Sequence, residues 1–468
     1  MVAKKSNFTK KVVAKRCKND IIRVEVGKMK RKIYKDLIKW KEQNEFKPLI
    51  VLGVRQCGKT YIIDEFCKNE YSDYKKINLL EDTDIVDLYK SKKSSDEKYN
   101  QLKLLIDFNF DKENSILFID EIQECEELIS ELKYFNEKHN NVRIICAGSL
   151  LGVKLARLTK SFPVGKISRL YLYPTDFEEF LEAYDKEMFI KAIKKSFESN
   201  KAIGNEVHEK ILNYYKKYLV SGGLPASVKN IIECKDDYYS YDLNILNDII
   251  EDYQNDMNNH VTSTAETLKI RKIYSSLPSQ LENASRKFQY SVIDSKAKSR
   301  EYLMPLTWLE ESNMIQLCKC VKIPEKPLLG FVDNETFKVY YSDIGIFNRI
   351  VNNDIKSIII DDMKIYKGII TENYVANQLK ANGIPLLYWK GLRNSEIDFL
   401  ISTTNDGIIP IEVKADKNTQ SKSLKIYNDL YNPKYMIRIS TKDFGYNPET
   451  KIKSIPLYAV FFLKNLTE

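Results

Sequence analysis

Apolar residues along the first third of the chain fall into two alternating rhythms. Residues 29–45 (MKRKIYKDLIKWKEQNE) carry them at helical spacing and lead into PLIVLG, a short β-rich run. After GVRQCGKT, helical spacing resumes in YIIDEFCKNE, and YKKINLL is the next strand candidate. SILFIDEI is a continuous apolar run of the kind found in a strand buried on both faces. ECEELISELKYFNEKHN then predicts a helix and VRIICAGS a further buried strand. Strands alternating with helices predict an α/β fold with a parallel sheet. From about Tyr173 to about residue 260 the pattern is mostly helical, and polar NDMNNHVTSTAE marks a boundary. From about Thr267, three short helical segments precede two β-like runs, IQLCKCVKI and FKVYYSD, an order that suits a winged helix. The last hundred residues read helix (GIITENYVANQLKAN), strand (LLYWK), strand (EIDFLIS), strand (IIPIEVKA), helix (SLKIYNDLY), strand (YMIRIS).

Composition narrows the class. The 468 residues predict two to four domains, and 43% hydrophobic content excludes a disordered chain. With a mean hydropathy of −0.40, no window approaches the roughly 18 apolar residues of a membrane helix. The net charge of +9 makes the surface mildly basic. AT-rich codon usage explains the abundant Lys, Asn and Ile equally well, so the charge alone leaves a nucleic-acid partner open. Eight cysteines without a CxxC, and three separated histidines, argue for a reducing compartment and against a zinc site. The N-terminus is basic and lacks the apolar stretch of a secretory signal, so it reads as a basic arm of a cytoplasmic protein.

The chemistry concentrates first in GVRQCGKT (Gly53, Val54, Arg55, Gln56, Cys57, Gly58, Lys59 and Thr60), followed by Tyr61. This is GxxxxGK[ST] in full, placed between a β-rich run and a helix. Glycines let the backbone turn its N–H groups toward phosphate oxygens, and the helix N-terminus adds positive potential. Lys59 would reach the β- and γ-phosphates of ATP, and the Thr60 hydroxyl would ligate Mg²⁺. In SILFIDEIQ, Asp120 emerges at the carboxyl end of a central strand, where it would hold the Mg²⁺ shell. Glu121 would polarise the attacking water. Ser149, at the end of VRIICAGS, would stand beside the γ-phosphate if its strand neighbours the first.

GVRQCGKT, LFIDEIQ, AGSLLG and SFPVGKISRLYLYPTDFEEFL together resemble the AAA-type ATPases that pair with a C-terminal restriction-endonuclease-like domain. FKVYYSDIGIF and SEIDFLIS…IIPIEVKA…IPLY resemble the other end of the same family. The resemblance runs from about residue 30, past the basic arm (1–28), and implies an ATPase core (29–175), a helical lid (176–262), a winged helix (263–350) and a nuclease-like domain (351–468). The phosphate motifs predict ATP and ADP as ligands with Mg²⁺ as cofactor, and the net charge with the winged-helix pattern predicts DNA bound with low specificity. No membrane is involved, and a homo-oligomer is left open. Lys166 stands where the family often has its arginine finger, leaving Arg169 and Arg157 as the alternatives.

A second constellation lies near the C-terminus. IEVKA places Glu412 and Lys414 on one face of a strand, with Asp398 on the preceding strand and Glu372 on the helix before both. The arrangement resembles the PD-(D/E)XK nuclease core, with Ile397 where that signature has proline. There, carboxylates such as Asp398 and Glu412 hold Mg²⁺, and the lysine stabilises the attacking hydroxide. SRKFQYSVIDSKAKSREYLMPLTWLEE mixes cations with aromatics, either as a contact surface or as a core of Phe288, Tyr290, Tyr302 and Trp308 under solvated charges. The sequence therefore predicts a cytoplasmic Mg²⁺-dependent ATPase acting on nucleic acid through a nuclease-like module. The alternative is an ATP-dependent switch whose C-terminal domain binds DNA without cutting it.

Overall fold

The computed structural model describes residues 29–43, 45–157, 165–235, 237–259, 263–283, 286–363, 366–391, 395–416 and 422–467. The basic arm read for residues 1–28 lies outside them. Five strands, β1 (Leu49–Leu52), β2 (Asp73–Asn78), β3 (Ser115–Asp120), β4 (Ile144–Ala147) and β5 (Ser168–Tyr171), form one sheet in the order β2-β3-β4-β1-β5. Every pairing in it is parallel. The apolar runs LIVL, SILFID and IICA are buried throughout because each feeds two cores. Leu49, Val51, Ile116 and Phe118 face one core, whereas Ile50, Leu52, Leu117 and Ile119 face the other. Since β4 lies between β1 and β3, the loops after these three strands open side by side at one sheet edge.

The helical stretch contains Phe177–Ala183, Glu187–Ser199, Asn205–Ser221, Pro225–Glu233 and Asn244–Asn259. Asp176 and Glu179 start it with a reciprocal cap, each side chain accepting the other's backbone N–H. Beyond it come the helices Thr264–Glu282, Tyr290–Ile293 and Ser299–Glu311 and then the antiparallel strands β6 (Ile315–Val321) and β7 (Val332–Tyr341). The first of these helices is not short: it runs 19 residues and passes through Pro278. The hairpin is not free-standing either. β6 pairs in parallel with β8 (Leu387–Lys390), which pairs antiparallel with β9 (Glu396–Ile397).

Helix Tyr366–Ala381 precedes a second five-stranded sheet of β10 (Phe399–Thr403), β11 (Gly407–Val413), β12 (Met436–Ser440), β13 (Gly445–Asn447) and β14 (Ile452–Pro456). Its order is β10-β11-β12-β14-β13, with helix Lys422–Tyr431 between β11 and β12 in the chain. EIDFLIS, expected as one strand, is divided at Asp398 between β9 in one sheet and β10 in the other. The side chain explains the break. Asp398 Oδ2 accepts the Val413 N–H at 2.7 Å, the group that a continued ladder would have paired with backbone. No helix among the described residues is long and apolar enough to cross a membrane.

Candidate functional site

The phosphate loop spans the turn from β1 to helix Lys59–Glu70, and two of its glycines are required by geometry. Gly58 has φ 93°, the left-handed region that an L side chain rarely adopts, and a Cβ on Gly53 would meet the Leu172 carbonyl oxygen at 2.2 Å. Lys59 is buried, and its Nζ donates to the carbonyls of Gly53 (2.8 Å) and Val54 (2.9 Å), so the ammonium lies within the loop. Cys57 is buried beneath it, with Sγ 4.0 Å from that ammonium. Tyr61, one residue further, is exposed.

Asp120 ends β3 with its carboxylate facing the loop. Thr60 Oγ1 donates to its two oxygens at 3.1 and 3.3 Å. A hydroxyl and a buried carboxylate in contact are the oxygen donors that a hard divalent cation prefers, so Thr60 and Asp120 fit Mg²⁺. Lys76 on β2 competes for the same carboxylate, with Nζ 3.0 Å from Asp120 Oδ2. Glu121 follows in the left-handed region at φ 52°, which holds its side chain outside the strand register. Gln123 Nε2 donates to Glu121 Oε2 at 2.5 Å. Ser149 lies just past β4, half-buried, in the loop between those that carry Lys59 and Asp120.

The outer rim of the loop is held from a distance. Arg55 Nη1 lies 2.8 Å from Asp256, and Gln56 Nε2 donates to Asp252 at 2.5 Å, both from helix Asn244–Asn259. From the other side, Arg31 Nη1 donates to the Cys57 carbonyl at 3.0 Å while its Nε pairs with Glu179 at 3.2 Å. Arg31, Lys76, Gln123, Asp252 and Asp256 carried no sequence signal. Only the DEIQ spacing, which sets Gln123 two residues beyond Glu121, could have singled one of them out. Of the arginine-finger candidates, Lys166 pairs with Glu137 at 3.2 Å, and Arg169 stands exposed on β5. The Arg157 side chain lies outside the described residues.

The C-terminal constellation is arranged differently from a metal centre. Glu372 is 1% exposed and accepts from Tyr340 Oη at 2.5 Å and Lys338 Nζ at 3.1 Å; it also pairs with Arg286. Glu412 pairs with Lys414 at 2.6 Å, so those two do share a face. Among the described residues, no three Asp, Glu, His or Cys side chains form a group able to hold a metal ion. Tyr302 and Trp308 are buried, and Phe288 and Tyr290 pack against the core, so these aromatics serve packing. Cys318 and Cys320 are buried free thiols, and burial pushes both up from the ordinary thiol range.

Comparison with known proteins bears on the class of the first domain. Residues 45–181 match the AAA domain family, which supports an AAA-type ATPase core. Residues 212–369 and 367–460 match two domains of unknown function, DUF8612 and DUF4143. An uncharacterized protein of Methanocaldococcus jannaschii is 22% identical over 446 residues, covering 91% of this chain and 88% of its own. Among solved structures, a Walker-type ATPase of Pyrococcus abyssi is 16% identical, covering 69% of this chain and 96% of its own, with a TM-score of 0.42. The ORC2 protein of Aeropyrum pernix is 11% identical, covering 71% and 93%, with a TM-score of 0.36.

Proposed function

We propose that this chain is a Mg²⁺-dependent ATPase that works on nucleic acid, with ATP turned over at the loop edge of the first sheet. The observation that carries the reading is the convergence of Lys59, Thr60, Asp120 and Glu121 where β1 and β3 end. Bound with ATP, Mg²⁺ would neutralise phosphate charge, held by Thr60 and Asp120. Lys59 would leave the two loop carbonyls for the phosphates, and Lys76 would yield Asp120 to the metal. Glu121, released by Gln123, would orient water and take its proton, with Ser149 polarising the far side. The cysteines described are free and buried, which supports a cytoplasmic setting.

The net charge of +9 and the order of three helices and a hairpin over residues 264–341 support DNA contact through a winged helix. With its aromatics packed inside, such contact would be made by cations to phosphates and would be salt-sensitive. For residues 351–468 we keep the restriction-endonuclease-like reading, with Glu372, Asp398, Glu412 and Lys414 in the family order. The pairing of Glu372 with Lys338 favours binding over cutting. The test is phosphate release with ATP and Mg²⁺, with and without DNA or RNA. Lys59→Ala should abolish ATP binding, whereas Glu121→Gln should retain binding and lose turnover. Turnover surviving in Glu121→Gln would remove the base role.

A further inference from the structure

A nuclease-like fold implies a divalent cation between its carboxylates, and here that position is filled by the protein itself. Lys338 lies on β7, outside the C-terminal module, and is 0% exposed. Its Nζ is 3.1 Å from Glu372 Oε1, 2.5 Å from Glu396 Oε1 and 4.0 Å from Asp398 Oδ1. The ammonium also sits over the Tyr388 ring, 5.0 Å from its centroid. Further partners reach the same carboxylates and their neighbour Glu412. Glu372 receives Tyr340 and Arg286, Asp398 Oδ2 receives the Val413 N–H, and Glu412 receives Lys414.

We propose that Lys338 is the resident cation of this carboxylate cluster, and that the C-terminal module is consequently metal-independent and does not hydrolyse nucleic acid. The charge balance decides the point. Glu372, Glu396 and Asp398 bring three negative charges and Lys338 and Arg286 return two, which leaves a divalent ion little to neutralise. An Mg²⁺ or Mn²⁺ ion binds carboxylate oxygens at roughly 2.0–2.2 Å and would have to displace an ammonium already in contact with two of them. That ammonium is tethered and fully dehydrated, so displacing it would leave a charged group buried without its counter-charges. Without Lys338, the same three carboxylates and Arg286 carry a charge of −2, which a single divalent ion would neutralise if the carboxylates closed into the space the ammonium leaves. The cluster also ties β7 to helix Tyr366–Ala381 and β9, so the cation that replaces the metal fastens the module to the strand before it.

The proposal rests on the nuclease-like reading of residues 366–413 and is tested on full-length, nucleotide-free protein titrated with Mn²⁺, the free ion followed by electron paramagnetic resonance. The wild type should take up no Mn²⁺ that Glu396→Gln or Asp398→Asn removes. Lys338→Met should gain a single Mn²⁺ site, lost again in the double variant Lys338→Met/Glu372→Gln, and its melting temperature should rise with Mn²⁺ by more than that of the wild type. Ion held weakly at Thr60 and Asp120 is common to every variant and cancels in the differences. Wild-type uptake sensitive to Glu396→Gln or Asp398→Asn overturns the proposal, as does a folded Lys338→Met that gains no site. Should Lys338→Met not fold, the wild-type titration decides the matter alone. Failure of the ATPase reading would appear as absent phosphate release and would leave these stoichiometries unchanged.

Discussion

Glu121 is restrained by a neighbour two residues away. Gln123 is 3% exposed and donates to the Glu121 carboxylate. It also presses on the next loop, since a Cβ on Gly148 would meet Gln123 Oε1 at 1.9 Å. A carboxylate that accepts a hydrogen bond is a weaker proton acceptor, and a net hydrogen bond is worth about 1 kcal/mol, or roughly a fivefold rate. Gln123→Ala should therefore raise basal phosphate release by about that factor with KM for ATP unchanged; a fall in rate would mean that Gln123 helps position the base. Lys76 restrains Asp120, the proposed metal ligand, in the same way. Its side chain is 34% exposed, so its pair with Asp120 is worth at most about 1 kcal/mol. Lys76→Met should lower the Mg²⁺ concentration for half-maximal hydrolysis by up to about fivefold, read from a magnesium titration at saturating ATP.

At the scale of elements, what the sequence disclosed depended on how local the chemistry is. GVRQCGKT and SILFIDEIQ were legible because each motif and the strand or helix that presents it lie within about ten residues, and apolar runs mark the buried strands. Glu412 and Lys414 were legible as one face for the same reason. The division at Asp398 was not, because it depends on a side chain capturing the Val413 N–H, and strand periodicity is blind to that. Nor was the parallel pairing of β6 with β8, which makes a hairpin part of a later sheet. The clamp on the phosphate loop was equally hidden: Arg55 and Asp256 are 201 residues apart. That clamp has a measurable weight. Asp256 is 3% exposed, and in Arg55→Ala its buried carboxylate loses a guanidinium donor. The cost should be about 1–3 kcal/mol of stability, seen as a lower melting temperature without ATP. An unchanged melting temperature would mean that helix Asn244–Asn259 rests on the loop without holding it.

At the scale of the molecule, the helix that carries Glu372 and the residue just past it are fastened by polar contacts to the start of the helical stretch that follows the first sheet. Gln378 Oε1 accepts the Phe177 N–H at 2.8 Å, and Asn382 donates to Asp176 at 2.9 Å. Asp176 also pairs with Lys32, next to the Arg31 that reads the loop carbonyl of Cys57. A second joint is more sensitive to pH. Asp343 is 4% exposed and accepts the N–H groups of Gly223 at 2.7 Å and Ile346 at 3.0 Å, joining the end of helix Asn205–Ser221 to the start of helix Ile344–Ile350. Burial outweighs those hydrogen bonds and pushes its carboxyl from an ordinary 3.8 up to about 6. Between those values the folded chain holds a proton that the unfolded chain has released, so stability falls as pH rises through the window. The contribution is complete below the ordinary value and lost above about 6, amounting to about 3 kcal/mol at most. Asp343→Asn keeps an acceptor and cannot ionise. The difference in melting temperature, wild type minus variant, should therefore be highest near pH 4, decline by several degrees toward pH 7 and stay level above it. A difference that rises with pH would mean that the ionised carboxylate is the form the fold prefers, with the three backbone N–H groups of Gly223, Gly345 and Ile346 outweighing burial.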